Sequence, residues 1–295
     1  MKVAFIGDVH GCVLHALGSV LMLQQRRGVR LDAVVQVGDL GAYPSADRFD
    51  GPSRRFILDS PSQGDFFRLL DPTPELAASV RGALEQMPPV LFVAGNHEDH
   101  EWLASLHAAS AGAGVVAVDP LGAFHHVECG RVVDVAGLRT AFLGLMEAPG
   151  KMDLDEAAYA ALLAAEPGSV DLLITHEGPT ACPAASAEVQ GSPKLTRLIE
   201  HLQPPLHISG HVHHENGRGT TARPSPTRSR SSSGRSPPGT SPRASTRSSG
   251  SRTAASGCST PRPEPSSTCT TPGWPRSTAT TSIWPGSWRP ARCEG

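Results

Sequence analysis

Five short segments place a side chain able to bind a metal ion beside a glycine. They are Gly7-Asp8-Val9-His10-Gly11, Gly38-Asp39-Leu40-Gly41, Gly95-Asn96-His97-Glu98, Thr175-His176-Glu177-Gly178 and Gly210-His211-Val212-His213. Asp, Asn and His together supply the mixed oxygen and imidazole donors that suit hard-to-borderline divalent ions such as Mn²⁺, Fe or Zn²⁺. In His211-Val212-His213 both rings can point to the same side of an extended segment, because side chains alternate with period two. Gly7, Gly38, Gly95 and Gly210 allow a sharp turn or a close approach of the backbone. Each segment alone fits a turn or cap as well as it fits a ligand; all five together make a metal-dependent centre the sharper reading.

Ligands this far apart in sequence need elements that bring them to one place. Three of the segments follow apolar, β-branched runs: Val3–Ile6, Val34–Val37 and Val90–Ala94. A fourth follows Asp171–Ile174 and the last follows the shorter Leu206–Ser209. Side chains just past strand ends can converge on one rim of a sheet. Between the runs the pattern predicts helices over Leu14–Arg27, from Thr73-Pro74-Glu75 to about Met87, from near Glu98, around Asp155–Ala165 and around Pro193–Leu202. Thr73 and Pro74 read as a cap and a first-turn proline. Ala42–Pro72 reads as an irregular insertion. Val115–Val118, Ala123–Glu128, Arg131–Val135 and Thr140–Leu145 read as consecutive strands. This order predicts a layered α/β fold.

The bulk properties narrow the class. No run of about 20 apolar residues is present, and Met1 leads almost directly into a core strand without a charged leader. The six cysteines (12, 129, 182, 258, 269 and 293) form no CxxC pair and suit reduced thiols in a cytoplasmic protein. The formal charge of −2 conceals an asymmetry: residues 219–295 carry eleven Arg and two Glu, a net +9, which leaves −11 on residues 1–218. An acidic body makes a poor nucleic-acid coat; nucleic acid as a partner, and the oligomeric state, stay open.

The composition breaks near Gly217–Thr221. Beyond it there is no Leu, Val, Met, Phe, Tyr or His, and the single Ile is Ile283. Such a segment lacks the apolar surface to offset its chain entropy and is expected to be disordered. Three of the four tryptophans and three of the six cysteines nevertheless fall in it. Arg, Pro, Ser and Thr mixed with stray Trp and Cys is what a GC-rich gene yields when read out of frame. The expected organisation is therefore a domain over 1–218 and a tail over 219–295 created by a frameshift, with C-terminal strands of the fold missing; a genuine basic low-complexity tail is the alternative.

In order and content the five segments resemble the calcineurin-like metallophosphoesterase superfamily, whose pattern is D-x-H, G-D, G-N-H-[DE], a lone H and G-H-x-H; the resemblance covers roughly residues 1–217. It implies a sandwich of two mixed β-sheets flanked by helices, and two metal ions roughly 3.5–4 Å apart. By the same resemblance Asp39 bridges the ions, Asp8, His10 and His213 complete one shell, and Asn96, His176 and His211 complete the other. A hydroxide between the ions attacks a phosphoester, and His97 protonates the leaving alkoxide or stabilises its charge. Glu98 or Asp99 could orient the His97 ring; a solvated acidic pair at a helix start is the plainer reading.

The start Gly7-Asp8-Val9-His10-Gly11-Cys12 is similar to Ser/Thr protein phosphatases and diadenosine tetraphosphate hydrolases. Those continue G-D-x-V-D-R-G, whereas this chain reads Gly38-Asp39-Leu40-Gly41-Ala42-Tyr43 and lacks the Asp-Arg pair. The shorter arrangement is more similar to the phosphodiesterase-like branch, which implies a phosphodiesterase or phosphomonoesterase acting on a small or nucleotide-like ester. Weak candidates for holding its phosphate are Tyr43, Arg48, Arg54, Arg55 and Arg68, with a solvated loop as the competing reading. A non-catalytic interaction module of the same fold is the second functional class.

Overall fold

The computed structural model describes residues 1–147, 153–180, 182–183 and 189–212. The tail and His213 lie outside the described residues.

Strand β1 (Val3–Ile6), helix α1 (Val13–Arg27) and strand β2 (Ala33–Gln36) open the chain. The stretch after β2 expected to be irregular contains two helices, α2 (Gly51–Asp59) and α3 (Asp65–Leu70). The cause is local: the Asp50 side chain accepts from Ser53 N at 2.6 Å and Pro52 sits in the first turn, so α2 has an ordinary capped start. Tyr43, Phe49 and Phe67 pack ring to ring within this insertion, and Phe66 against Trp102 of the later chain helps hold it to the body.

Helix α4 (Pro74–Leu84) begins at the Thr73 cap as expected, and β3 (Val90–Phe92) follows. Helix α5 (His100–Ala109) starts two residues later than expected because Asp99, not Glu98, caps it by accepting from Trp102 N. Then come β4 (Val115–Ala117), β5 (Phe124–Val127), β6 (Val132–Val135), β7 (Leu138–Leu143), α6 (Glu156–Leu163) and β8 (Leu172–Thr175). A two-residue ladder of β9 (Cys182–Pro183) and β10 (Val189–Gln190) precedes α7 (Pro193–Leu202) and β11 (Leu206–Ile208).

Two mixed sheets result. The first has the order β1-β2-β3-β5-β4 and is parallel except for β4; the second has the order β11-β8-β7-β6 and is parallel except for β6. Alternation within β2 shows how they stack. Val34 faces α1 and α4 in one core with Leu17, Val80 and Phe92, while Val35 faces the other sheet with Phe142, Leu172 and Ile174. On the far side of the second sheet, Leu143 and Leu173 pack on Tyr159, Leu195 and Leu198 of α6 and α7. Helix, sheet, sheet and helix layers are thus sealed by three apolar contacts, each fully buried Leu, Ile, Val or Phe contributing about 1.5–3 kcal/mol. Because β1, β2 and β3 run parallel, their C-terminal ends share one rim, and β8 and β11 present theirs in the same way.

Candidate metal centre

The loops beyond those strand ends are stitched to each other by backbone bonds. Asp8 N donates to Gly38 O, His10 N to Asp39 O and Gly11 N to Leu40 O, at 3.3, 2.8 and 2.7 Å. Asp8, His10, Asp39 and His211 all have positive φ, a strained setting for residues with a Cβ that recurs where a site dictates backbone geometry. Two glycines permit close approaches to the candidate ligands themselves. A Cβ on Gly38 would lie 2.2 Å from His176 Nδ1, and one on Gly95 would lie 2.3 Å from Asp39 Oδ1.

Asp39 is the hub. It is 2% exposed, and its two oxygens face different imidazoles: Oδ1 lies 3.4 Å from His176 Nε2, and Oδ2 lies 3.9 Å from His10 Nε2. Ligand atoms of Asp39, His176 and His211 all lie within 4.8 Å of one another, and so do those of His10, Asp39 and His97. Asn96 Oδ1 joins the first set, 3.1 Å from His176 Nε2. The His176 Nδ1–H donates to the Val37 carbonyl at 3.0 Å, which turns Nε2 towards Asp39 and Asn96, the orientation a metal-binding histidine requires.

Burial acts to raise the Asp39 carboxyl, but the hydrogen bond and charge of His176 outweigh it and hold the group far below the usual carboxylate range. Burial acts to lower His176, and Asp39 reverses that as well. Each group thus favours the charged form of the other. These donors fit divalent ions: one carboxylate lies between two groups of nitrogen and oxygen donors, imidazoles supply the rest, and the backbone is pinned.

Asp8 and His97 each tie the cluster to another stretch of chain. Asp8 Oδ1 accepts from His211 N at 2.9 Å, tying the first loop to the last. His97 is grouped with His10 and Asp39, its ring centroid 5.3 Å from that of His10. Its Nδ1 lies 2.5 Å from Asp50 Oδ2, so its Nε2 faces the cluster. Asp50 was not among the sequence candidates. Tyr43 donates its hydroxyl to the same Asp50 oxygen at 2.9 Å, and Ser53 N bonds the other. Burial works to raise Asp50, but His97 and Ser53 hold it well below the usual range; His97 is raised in turn, first by its bond to Asp50.

Glu98 and Asp99 do not orient His97, nor are they solvated. Glu98, 5% exposed, accepts from Leu40 N at 2.5 Å, Gly95 N at 2.7 Å and Gly41 N at 3.3 Å. Burial and the neighbouring Asp39 push its carboxyl upward. Asp99 is held in a two-point bond by Arg48, at 2.5 and 2.7 Å. The candidate phosphate-binding residues accordingly have other work. Tyr43 is buried; Arg48 also reaches Glu101; Arg54 bonds the Phe49 and Asp47 carbonyls; Arg68 pairs with Asp65. Arg55 lies exposed on α2.

With this geometry in place, a family comparison decides the class: the model of the calcineurin-like phosphoesterases matches residues 1–215. The chain belongs to that family. It is therefore a metal-dependent phosphoester hydrolase at the level the family defines. No curated protein matches this phosphoesterase significantly. None of its helices among the described residues is long and apolar enough to cross a membrane.

Proposed function

We propose that this phosphoesterase holds two divalent ions across Asp39 and hydrolyses a small or nucleotide-like phosphodiester or phosphomonoester, in the manner of the phosphodiesterase-like branch. The observation that supports this most directly is the division of the Asp39 carboxylate between His10 on one side and His176 on the other. His10 with Asp8 and His213 would hold one ion, and Asn96, His176 and His211 the other. When bound, the ions supply Lewis acidity toward phosphate oxygens and an acidified water as nucleophile.

The chain's own residues do the rest. His176 is oriented by the Val37 carbonyl and Asn96 by its contact with His176. His97, aimed by Asp50, holds a proton on Nε2 at the edge of the cluster, where it can pass to the leaving alkoxide. The unpaired Cys12 and Cys129 suit a reduced, cytoplasmic setting. The test is turnover of bis(p-nitrophenyl) phosphate and p-nitrophenyl phosphate with Mn²⁺, run beside elemental analysis. Soluble protein that carries two equivalents of metal and turns over neither ester would overturn the reading and favour an interaction module.

A further inference from the structure

A cavity of about 400 Å³ lies between α5 and the chain just past β3, β5 and β7. Its apolar wall includes Ala94, which leads into the ligand loop at Gly95, with Leu103 and Leu145. His100 also lines it, and this ring is near enough to Asp39 and His176 to feel their charges. Leu145 has a φ of 67°, an outlier for a bulky side chain and a kind of strain that gathers at functional sites.

Two polar atoms of its lining residues lack partners. The Nε2 atoms of His100 and His126 are buried with no hydrogen bond, and His126 is only 6% exposed. The proton positions on His126 follow from its neighbours. Ala113 O can only accept, so His107 Nδ1–H donates to it at 2.8 Å. Nε2 of a neutral His107 is then a lone pair, which accepts from His126 Nδ1–H at 2.8 Å. Burial holds His126 down to about 3, so the ring is neutral and its Nε2 is an acceptor without a donor. Burial also lowers His100, whose neutral ring can carry its proton on either nitrogen. Among the described residues, Glu128 and Asp155 line the cavity but no Lys or Arg does. An anion finds no partner there; a neutral donor does.

We propose that this cavity binds an amino-bearing heteroaromatic ring of nucleobase size, its amino group donating to His126 Nε2 and the adjacent ring nitrogen pairing with His100 Nε2. The volume and the mainly apolar wall with a few convergent polar groups are those of a small-molecule site. The acceptor at His126 asks for a donor, and a donor beside a ring nitrogen uses both orphaned atoms at once. The ring belongs either to the phosphoester substrate, whose phosphate then goes to the metal centre, or to a free nucleoside. This goes beyond the two-ion reading: ring binding is measured without turnover, so either can fail alone.

The test is calorimetric titration of the full chain with adenosine and with purine riboside, which differ only in the amino group. Adenosine should bind about 10-fold tighter or more, and His126→Phe, which removes the acceptor, should erase the difference. Ala104 is exposed on α5 and lines the cavity, so Ala104→Phe fills it without burdening the core. That variant should weaken adenosine by about 10-fold or more. No binding of adenosine, equal affinity for the two nucleosides, or undiminished binding in Ala104→Phe overturns the proposal. KM values in Ala104→Phe then separate the two sources. A rise for an adenosine-containing diester that bis(p-nitrophenyl) phosphate does not share places the ring on the substrate. Unmoved KM values with adenosine binding lost assign the cavity to a free nucleoside.

Discussion

Asp50 Oδ2 and His97 Nδ1 lie 2.5 Å apart although 47 residues separate them in the chain. The bond fixes which imidazole nitrogen faces the metal cluster, and Tyr43 and Ser53 fix the carboxylate in turn. Asp50→Ala should lower kcat about 10–100-fold, as loss of an outer-shell partner does, with metal content unchanged. In a double-mutant cycle, Asp50→Ala added to His97→Ala should cost almost nothing further, because both act through one proton. Additive losses would show that Asp50 works independently of His97.

Asp39 lies between both halves of the cluster, so on the proposed two-ion reading its loss should be felt by both ions together. Asp39→Asn should bring elemental analysis from two equivalents towards none in one step of chelator titration. Retention of one tightly held equivalent would mean that the two groups do not share this carboxylate.

Backbone space around the ligands is equally exacting. Gly95→Ala sets a methyl group 2.3 Å from Asp39 Oδ1 and 2.8 Å from His176 Cε1, and should abolish metal retention. Gly82→Ala, in the last turn of α4 with no atom outside its own helix within 4 Å of the added carbon, should instead stabilise the fold by about 0.5–1 kcal/mol. Thermal melts and metal analysis of the two variants separate a site-specific clash from a general effect of replacing glycine.

Two histidines away from the ligands set an acid limit. Burial lowers His126 to about 3 and His207 to about 4. His126 Nδ1 meets His107 Nε2, and His207 Nε2 meets Thr175 Oγ1, both at 2.8 Å. Each is neutral when folded and has an ordinary value near 6.5 when unfolded. As pH falls below about 6.5 the unfolded chain takes up protons that the folded one refuses. The stability these two groups confer should therefore be full above that pH, decline on acidification and be spent near pH 3–4. Each histidine contributes on the order of a few kcal/mol to the loss. Tm measured from pH 7.5 to 5 should fall less steeply in His126→Phe than in the parent; equal slopes would remove His126 from the account.

Much of the scaffold was legible in advance. The strands behind Asp39, Asn96 and His176 are mostly apolar runs buried throughout, as a central parallel strand should be, whereas the equally apolar run behind Asp8 is only half-buried. The Thr73-Pro74 start of α4 was equally plain. Asp50-Gly51-Pro52-Ser53 carries the same cap-then-proline signal, but it lies in a polar stretch between weak apolar runs, where that signal does not stand out. Asp50 itself belongs to no metal motif; only the folded insertion shows that it reaches His97. The partners of Glu98 were hidden for a different reason. Three backbone amides, from loops over fifty residues apart in part, leave no trace in residue identity.

That buried carboxylate has a further consequence. By holding Leu40, Gly41 and Gly95 at once, Glu98 makes the second and third ligand loops a single casting, set hard before any cation arrives. A pocket cast this way has little freedom to shrink or swell around its guest. Exchanging manganese for zinc should then alter how fast the protein works far more than what it looks like, and the preferred ion would be the one whose natural bond lengths suit a mould already poured.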